Sequence, residues 1–107
     1  KRASSASDNL EELTMEAYGP EGAAIIIEAA TDSKTRTISE VKKILSDHGA
    51  KWAEVGGARW AFENINGAWQ AKTKQKISQE AGKKLLGLIQ ELEERDDIQK
   101  IYDNFRN

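Results

Sequence analysis

The pattern of apolar and polar residues predicts a sheet built around one fully covered strand. Residues 18–31 begin with a Gly19-Pro20 turn and continue into an apolar run centred on three isoleucines. An apolar run of this length between two turns is typical of a strand that is buried on both faces. Pro20 has no backbone N–H and favours an extended conformation in Gly19, so the chain is expected to turn there. We therefore place this strand at the centre of the sheet.

Two further strands are predicted towards the ends of the chain. In residues 10–17, Leu13 and Met15 alternate with polar residues, which indicates a strand that leads into the turn. Residues 97–105 carry several bulky apolar side chains and form the last predicted strand. Residues 1–9 are small, polar and rich in serine, so we interpret them as a tail or linker.

Two amphipathic helices are predicted between these strands. Thr37 and Glu40 form a capping box, which places the start of the first helix at Ile38. Gly49 is suited to end this helix, because glycine readily adopts the left-handed conformation found at helix ends. Ser78 is the predicted N-cap of the second helix. Apolar residues recur with helical spacing in both segments, which indicates helices that lie on the sheet.

A hairpin is predicted around Asn66-Gly67, because both residues tolerate the positive φ of a type I′ turn. Its expected pairs are Ile65 with Ala68, Phe62 with Ala71, Trp60 with Thr73 and Arg59 with Lys74. On one face this register collects the apolar residues Trp60, Phe62, Trp69 and Ala71. On the other face it collects the polar and basic residues Arg59, Gln70, Lys72, Lys74 and Lys76. A slip of one residue would bury the lysines.

The order of these elements predicts the fold class. Beyond the first strand, the elements run βαββαβ, which indicates an α+β fold: a two-layer, ferredoxin-like sandwich with an additional N-terminal strand. Residues 10–107 are short enough to form a single domain with a single core.

Composition narrows the possible chemistry. The chain has 107 residues, no cysteine and one histidine, with 16 basic and 18 acidic side chains and a net charge of −2. The lack of cysteine excludes disulfides, thiolate nucleophiles and cysteine-based zinc sites. No apolar run approaches the roughly 18 residues of a membrane span. Nucleophile-elbow, P-loop and dinucleotide motifs are also missing. We therefore expect no enzymatic activity, cofactor, metal site or membrane contact.

Two blocks of residues resemble the signature of a known family. The first block is Tyr18-Gly19-Pro20-x-Gly22-x-Ala24-x-Ile26-x-Glu28, followed by Thr31-Asp32 and Arg36-Thr37-x-x-Glu40-Val41. The second block is Asp96-Asp97-Ile98-Gln99-x-x-Tyr102-x-Asn104-Phe105. Together they resemble the YebC family, whose mitochondrial relatives are translational activators of cytochrome c oxidase. The resemblance extends roughly over residues 10–105.

The sequence departs from the family pattern at several places. Glu21 stands where a glycine is usual, and Ser33-Lys34 stands where Asn-Arg is common. The family's N-terminal helical domain is absent, and so is a further α/β domain that family members carry between the two strands joined here by Asn66-Gly67. The chain therefore resembles a shortened form of the family.

The resemblance implies a non-enzymatic regulator in the cytoplasm, or in the mitochondrial matrix if the source is eukaryotic. Family members are generally described as probable transcriptional regulators that bind DNA, and others act in translation on the ribosome. The implied partner is therefore nucleic acid, either DNA or ribosomal RNA, and in the second case the ribosome itself.

The basic hairpin face is the first candidate phosphate site. Arg59, Lys72, Lys74 and Lys76 would lie side by side, which costs stability unless an anion or a neighbouring acid compensates. The phosphate backbone of nucleic acid is such an anion. An alternative interpretation is equally open, because lysines on an edge strand also prevent sheets from associating.

The start of the first helix is the second candidate phosphate site. Lys34 and Arg36 add positive charge to backbone N–H groups that already favour anions at a helix N-terminus. The alternative is a solvated connection in which Thr37 only caps the helix. The resemblance of this segment to the family signature favours the functional interpretation.

The aromatic residues and the acidic end of the chain suggest other roles. Trp60, Phe62, Trp69 and Tyr102 could stack on bases, but their spacing opposite a charged face favours a place in the core. The alternative function is a protein-interaction module that uses the acidic segment at residues 91–97 or an exposed sheet edge.

Overall fold

The computed structural model describes residues 10–54 and 56–106. The predicted tail at residues 1–9 lies outside the described residues. The helices are α1 (Lys34–Asp47) and α2 (Gln79–Glu93). The strands are β1 (Glu11–Tyr18), β2 (Ala24–Thr31), β3 (Lys51–Ala53), β4 (Phe62–Ile65), β5 (Ala68–Ala71), β6 (Gln75–Lys76), β7 (Ile98–Asp103) and β8 (Phe105–Arg106). Short 3-10 turns occupy Pro20–Gly22 and Arg59–Ala61. These elements confirm the predicted α+β class.

The main sheet has four antiparallel strands in the order β3-β1-β2-β7. β2, α1 and β3 form a split βαβ unit, with β1 inserted between the two strands. The additional N-terminal strand of the prediction therefore lies inside the main sheet, next to the central strand β2. The edge strand β3 was not predicted, because a strand of three residues is too short to show an alternating pattern.

The main sheet is covered on both faces, so the fold has one layer more than the two that the sequence predicted. On one face, Met15, Ile25 and Ile27 pack with the apolar sides of α1 and α2. On the other face, Ile26 packs with Phe62 of the hairpin and with the turn before it. Ile25, Ile26 and Ile27 are all fully buried, which confirms the prediction for the central strand. A strand buried on both faces needs a third layer, and the hairpin provides it.

The hairpin turn is confirmed, but the predicted strands are too long. Ile65 pairs with Ala68 and Phe62 pairs with Ala71. Asn66 and Gly67 have φ of 55° and 87°, as a type I′ turn requires. The chain then leaves the ladder at the Arg59–Ala61 turn. The predicted pairs Trp60 with Thr73 and Arg59 with Lys74 therefore do not form, and Ala61 O accepts the N–H of Lys72 instead, at 2.7 Å.

The starts of the helices differ in how well the sequence predicted them. Ser78 caps α2 and its side chain accepts the N–H of Ala81, as expected. α1, however, begins at Lys34 with Ser33 as its N-cap, so the predicted start at Ile38 is wrong. Thr37 is buried inside the first turns of α1. Within the described part of the chain, neither helix combines the length and apolar character that a bilayer crossing requires.

Glu21 occupies a backbone conformation that explains the glycine usual at this position. Its φ is 59°, in the left-handed region, which glycine adopts without a steric cost. The Glu21 carboxylate accepts hydrogen bonds from the N–H and the hydroxyl of Ser78, at 3.0 and 2.8 Å. These bonds hold the pKa of Glu21 below its usual value. The side chain thereby connects the turn before β2 to the start of α2.

Candidate nucleic-acid interface

Arg59 is tied to a buried carboxylate of its own chain. Its Nε lies 2.7 Å from Oε2 of Glu16, and only 2% of Glu16 is exposed. The backbone N–H groups of Gly56, Ala58 and Arg59 donate to the same carboxylate at 2.9, 2.8 and 3.1 Å. Arg59 therefore neutralises an internal charge, and the expected row of like charges from Arg59 to Lys74 is not formed.

The Glu16 carboxylate stays ionised although it is buried. Burial alone raises the pKa of Glu16, but the N–H groups of Gly56 and Ala58 and the charge of Arg59 together outweigh it and lower the pKa below 4.5. Glu16 lies on β1 next to Met15 and Ala17, and its side chain points to the hairpin side of the sheet. It fixes the turn that leads to β4.

Arg36 is also neutralised within the chain. Its Nη2 lies 2.9 Å from Oδ1 of Asp32 and 3.5 Å from Oδ2 of Asp97. Thr37 Oγ1 donates to the same oxygen of Asp97 at 2.7 Å and lies 2.8 Å from Thr31 Oγ1. We call Thr31, Asp32, Arg36, Thr37 and Asp97 the signature cluster, because all five belong to the two blocks that resemble the family.

The signature cluster joins three elements of the fold. Thr31 ends β2, Thr37 lies in the first turns of α1, and Asp97 directly precedes β7. Asp97 O also accepts the N–H of Ala30 at 2.9 Å. Lys34, the other predicted cation at this helix start, has its Nζ 4.0 Å from Glu11 Oε1, and both side chains are largely exposed. The predicted phosphate site at the start of α1 therefore already holds carboxylates of the chain.

Three predicted cations differ from Arg59 and Arg36. Lys72, Lys74 and Lys76 are exposed, and no ion pair joins them to any residue in the described ranges 10–54 and 56–106. We call residues 72–76, which carry them, the lysine segment. The neighbouring Ile77 is 3% exposed and packs in the helix-side core, so Lys74 and Lys76 alternate with inward-facing residues.

Asp103 is an acidic group on which the charge of Lys74 acts. Burial raises the pKa of Asp103, while the N–H of Phe105 and the charge of Lys74 oppose this rise. The raised pKa shows that burial outweighs these two contacts. Asp103 and Lys74 do not approach within ion-pair distance, so the ammonium group of Lys74 is left for another anion.

The lysine segment is held in place by hydrogen bonds along its backbone. Asn104, 1% exposed, donates from Nδ2 to Thr73 O at 2.9 Å, and its backbone oxygen accepts the N–H of Gln75 at 2.7 Å. The Oδ1 atom of Asn104 accepts the N–H of Ala24 at 2.7 Å. One buried amide therefore connects the lysine segment to the start of the central strand. The lysines extend from a fixed backbone.

Trp60 is the aromatic residue that the sequence prediction misplaced. Its side chain is not in the core, because Trp60 is 54% exposed. The indole N–H donates to the Tyr18 hydroxyl at 2.9 Å, and that hydroxyl donates to Gly57 O. Phe62, Trp69 and Tyr102 do pack against the sheet, as predicted. The alternation of apolar and polar residues around Trp60 predicted a strand with the indole in the core. The chain instead forms a turn at Arg59–Ala61, and the indole is exposed.

Comparison with known proteins identifies the class of protein to which this fold belongs. The family model described as the TACO1/YebC second and third domain matches residues 10–67 and residues 63–105. The chain therefore belongs to the TACO1/YebC family, as its two signature blocks predicted. The two matched ranges meet in the β4–β5 hairpin, where the sequence indicated that the additional domain of the family is missing.

Individual relatives agree with this assignment. A protein from Solidesulfovibrio magneticus named "Probable transcriptional regulatory protein" is 49% identical over 57 residues, which are 53% of this chain and 23% of that protein. A protein of the same name from Chloroherpeton thalassium is 49% identical over 55 residues, which are 51% and 22% of the two chains. The matches thus span about a quarter of the curated relatives' length.

A solved structure confirms the fold independently. The crystal structure of a conserved hypothetical protein from Aquifex aeolicus superimposes with a TM-score of 0.85 at 21% sequence identity. The superposition covers 92% of this chain and 65% of that one.

Proposed function

We propose that the chain is a non-enzymatic regulator of gene expression that binds the phosphate backbone of nucleic acid through Lys72, Lys74 and Lys76. Membership of the TACO1/YebC family supports a regulatory role, as do relatives named probable transcriptional regulatory proteins. The single observation that carries the proposed site is the lysine segment, with three exposed ammonium groups that lack an ion-pair partner among the described residues.

The arrangement suits phosphate contact better than base recognition. An ammonium group is a compact charge with three rotatable donors, so it binds phosphate without demanding one geometry. Contacts to phosphate position a protein on nucleic acid but read no sequence directly. The proposed site therefore accepts promoter DNA or ribosomal RNA on the same electrostatic basis. Arg59, Arg36 and Lys34 support the fold in this proposal rather than touching phosphate.

Charge reversal of the lysine segment tests the proposal. We expect the K72E/K74E/K76E variant to bind a fluorescein-labelled DNA or RNA oligonucleotide about 100-fold more weakly than the wild type, because each contact is worth roughly 1 kcal/mol. Fluorescence anisotropy at fixed low salt measures the loss. The variant should keep its stability within about 0.5 kcal/mol, since all three side chains are exposed.

The matched control reverses three lysines elsewhere. K42E/K43E/K51E carries the same net charge but changes α1 and the edge strand β3 at the other side of the sheet. It should retain most of the affinity. Equal losses in the two triple variants would show that only net charge matters, and unchanged binding in K72E/K74E/K76E would refute the site.

A protein-interaction role remains the alternative. An open cleft of about 400 Å³ between α1 and the end of α2 is lined by Glu94 and Asp96 together with the Arg95–Glu40 pair. Exposed carboxylates there suit a basic partner, which would bind the lysine variant as well as the wild type.

A further inference from the structure

Trp60 presents a large aromatic surface whose orientation is fixed. More than half of the residue is exposed, at 54%. The indole donates its N–H to the Tyr18 hydroxyl at 2.9 Å, and Tyr18 in turn donates to Gly57 O. An exposed tryptophan without a hydrogen bond would lose rotamer entropy on binding. The hydrogen bond to Tyr18 already restricts the rotamer of Trp60, so binding a ligand costs less entropy.

The position of Trp60 connects it to the lysine segment. The next residue, Ala61, accepts the backbone N–H groups of Lys72 and Thr73 at 2.7 and 3.5 Å. Trp60, which carries the exposed indole, therefore directly precedes the residue that binds the backbone of the lysine segment. From Lys72 the segment extends over a further four residues, at most about 14 Å.

The hydrogen bond to Tyr18 limits the kind of contact that Trp60 can make. Indole has a single donor and no acceptor, and that donor is used, so a ligand can meet only the ring. Aromatic rings stack on unpaired bases with little regard to sequence. Bases inside a duplex are already stacked on their neighbours and offer no such face.

We propose that Trp60 and the lysine segment form one site for single-stranded nucleic acid, in which the indole stacks on an unpaired base and the lysines follow the adjoining phosphates. This inference rests on the proposed function and adds its substrate class. A second copy of this chain is the less suitable occupant, because two-fold contact around Trp60 would bring two sets of three lysines together.

Two substitutions of Trp60 separate stacking from phosphate contact. The probes are decathymidylate, decauridylate, a ten-phosphate abasic DNA strand and a ten-base-pair duplex, measured by anisotropy at the same salt. Trp60→Leu should weaken both single strands roughly 5- to 150-fold, because it removes the ring, and should leave the abasic strand unchanged. Trp60→Phe keeps a ring and should stay within about threefold of the wild type. The DNA and RNA strands show whether the site distinguishes the sugar.

Fluorescence provides a second measurement that does not depend on the leucine variant folding. Decathymidylate should quench the emission of the wild type, and this quenching should be lost in Trp60→Phe although the variant still binds. Trp52 and Trp69 remain in both proteins and serve as the internal reference.

The outcomes distinguish this inference from the proposed function. If Trp60→Leu binds decathymidylate as tightly as the wild type, the stacking role is wrong while the lysine site stands. If the wild type prefers the duplex, the single-strand assignment is wrong. If K72E/K74E/K76E binds the abasic strand normally, the proposed function itself fails. A dimeric wild type that becomes monomeric in Trp60→Leu would show that a second copy covers the ring.

Discussion

The cations of this chain fall into two regions with opposite surroundings. Arg59 and Arg36 lie within ion-pair distance of carboxylates of their own chain, Arg59 with Glu16 and Arg36 with Asp32 and Asp97. The lysine segment, by contrast, presents exposed ammonium groups from a backbone fixed by Asn104. In the sequence the two regions carry similar charge. The two regions differ because the fold brings carboxylates from distant parts of the chain, such as Glu16 and Asp97, next to the arginines.

This comparison separates cations that stabilise the fold from cations that are available to a partner. A buried or half-buried pair contributes to the native structure, and breaking it leaves a charge without compensation. An exposed lysine contributes little to stability. Substitutions in the first region should therefore change stability, and substitutions in the second should change binding.

The largest effect on stability is expected from Glu16→Gln. The amide would place a donor against the N–H groups that now bind the carboxylate, and Arg59 would lose its counter-charge, so the free energy of unfolding should fall by about 3 kcal/mol. Urea unfolding measures the change. Glu12→Gln is the matched control on the same strand, because Glu12 is exposed, and it should stay within about 0.5 kcal/mol of the wild type.

The dependence of stability on pH tests directly whether Glu16 is ionised in the folded chain. Its pKa is lowered from 4.5 in the folded chain, so its ionisation stabilises the native state above pH 4.5, and this contribution is lost as the pH falls through the lowered pKa. The wild type should therefore lose more stability than Glu16→Gln over that pH range. Parallel stability curves for the two proteins would contradict the account.

A smaller effect is expected from Asp97→Ala in the signature cluster. The substitution removes the acceptor of Thr37 and one partner of Arg36, and it should cost about 2 kcal/mol of unfolding free energy. Asp96→Ala is the control, because the neighbouring Asp96 is exposed. Thermal unfolding of the two variants measures the difference. If Asp97→Ala were as stable as its control and instead changed nucleic-acid affinity, the cluster would belong with the binding region.

The parts of the fold that local patterns specify were predicted well. β1, β2, the start of α2 and the Asn66-Gly67 turn all follow from alternation, apolar runs or turn residues. The start of α1 was misplaced, because Thr37 and Glu40 match a capping box. Thr37 instead points inward to Asp97, which is 60 residues away in sequence. Because the two residues are so far apart, no pattern in the sequence around Thr37 predicts this contact.

The candidate site was only partly predictable for a related physical reason. Strand alternation was extended through residues 58–63, but Glu16 collects backbone N–H groups there and stabilises a turn instead. This turn exposes Trp60, ends the hairpin ladder at Phe62 and removes Arg59 from the basic face. The lysine segment was predicted because strand alternation places Lys72, Lys74 and Lys76 on one face. That Lys72, Lys74 and Lys76 form no ion pair with another described residue could be established only in three dimensions.

The dependence of nucleic-acid affinity on salt tests the central claim most directly. Each neutralised phosphate contributes about −0.9 to the slope of log affinity against log salt for duplex DNA and about −0.7 for single strands. Removing the three charges with K72Q/K74Q/K76Q should therefore make the slope for decathymidylate shallower by about 2. An unchanged slope would contradict the account, because it would show that phosphate is bound by other residues.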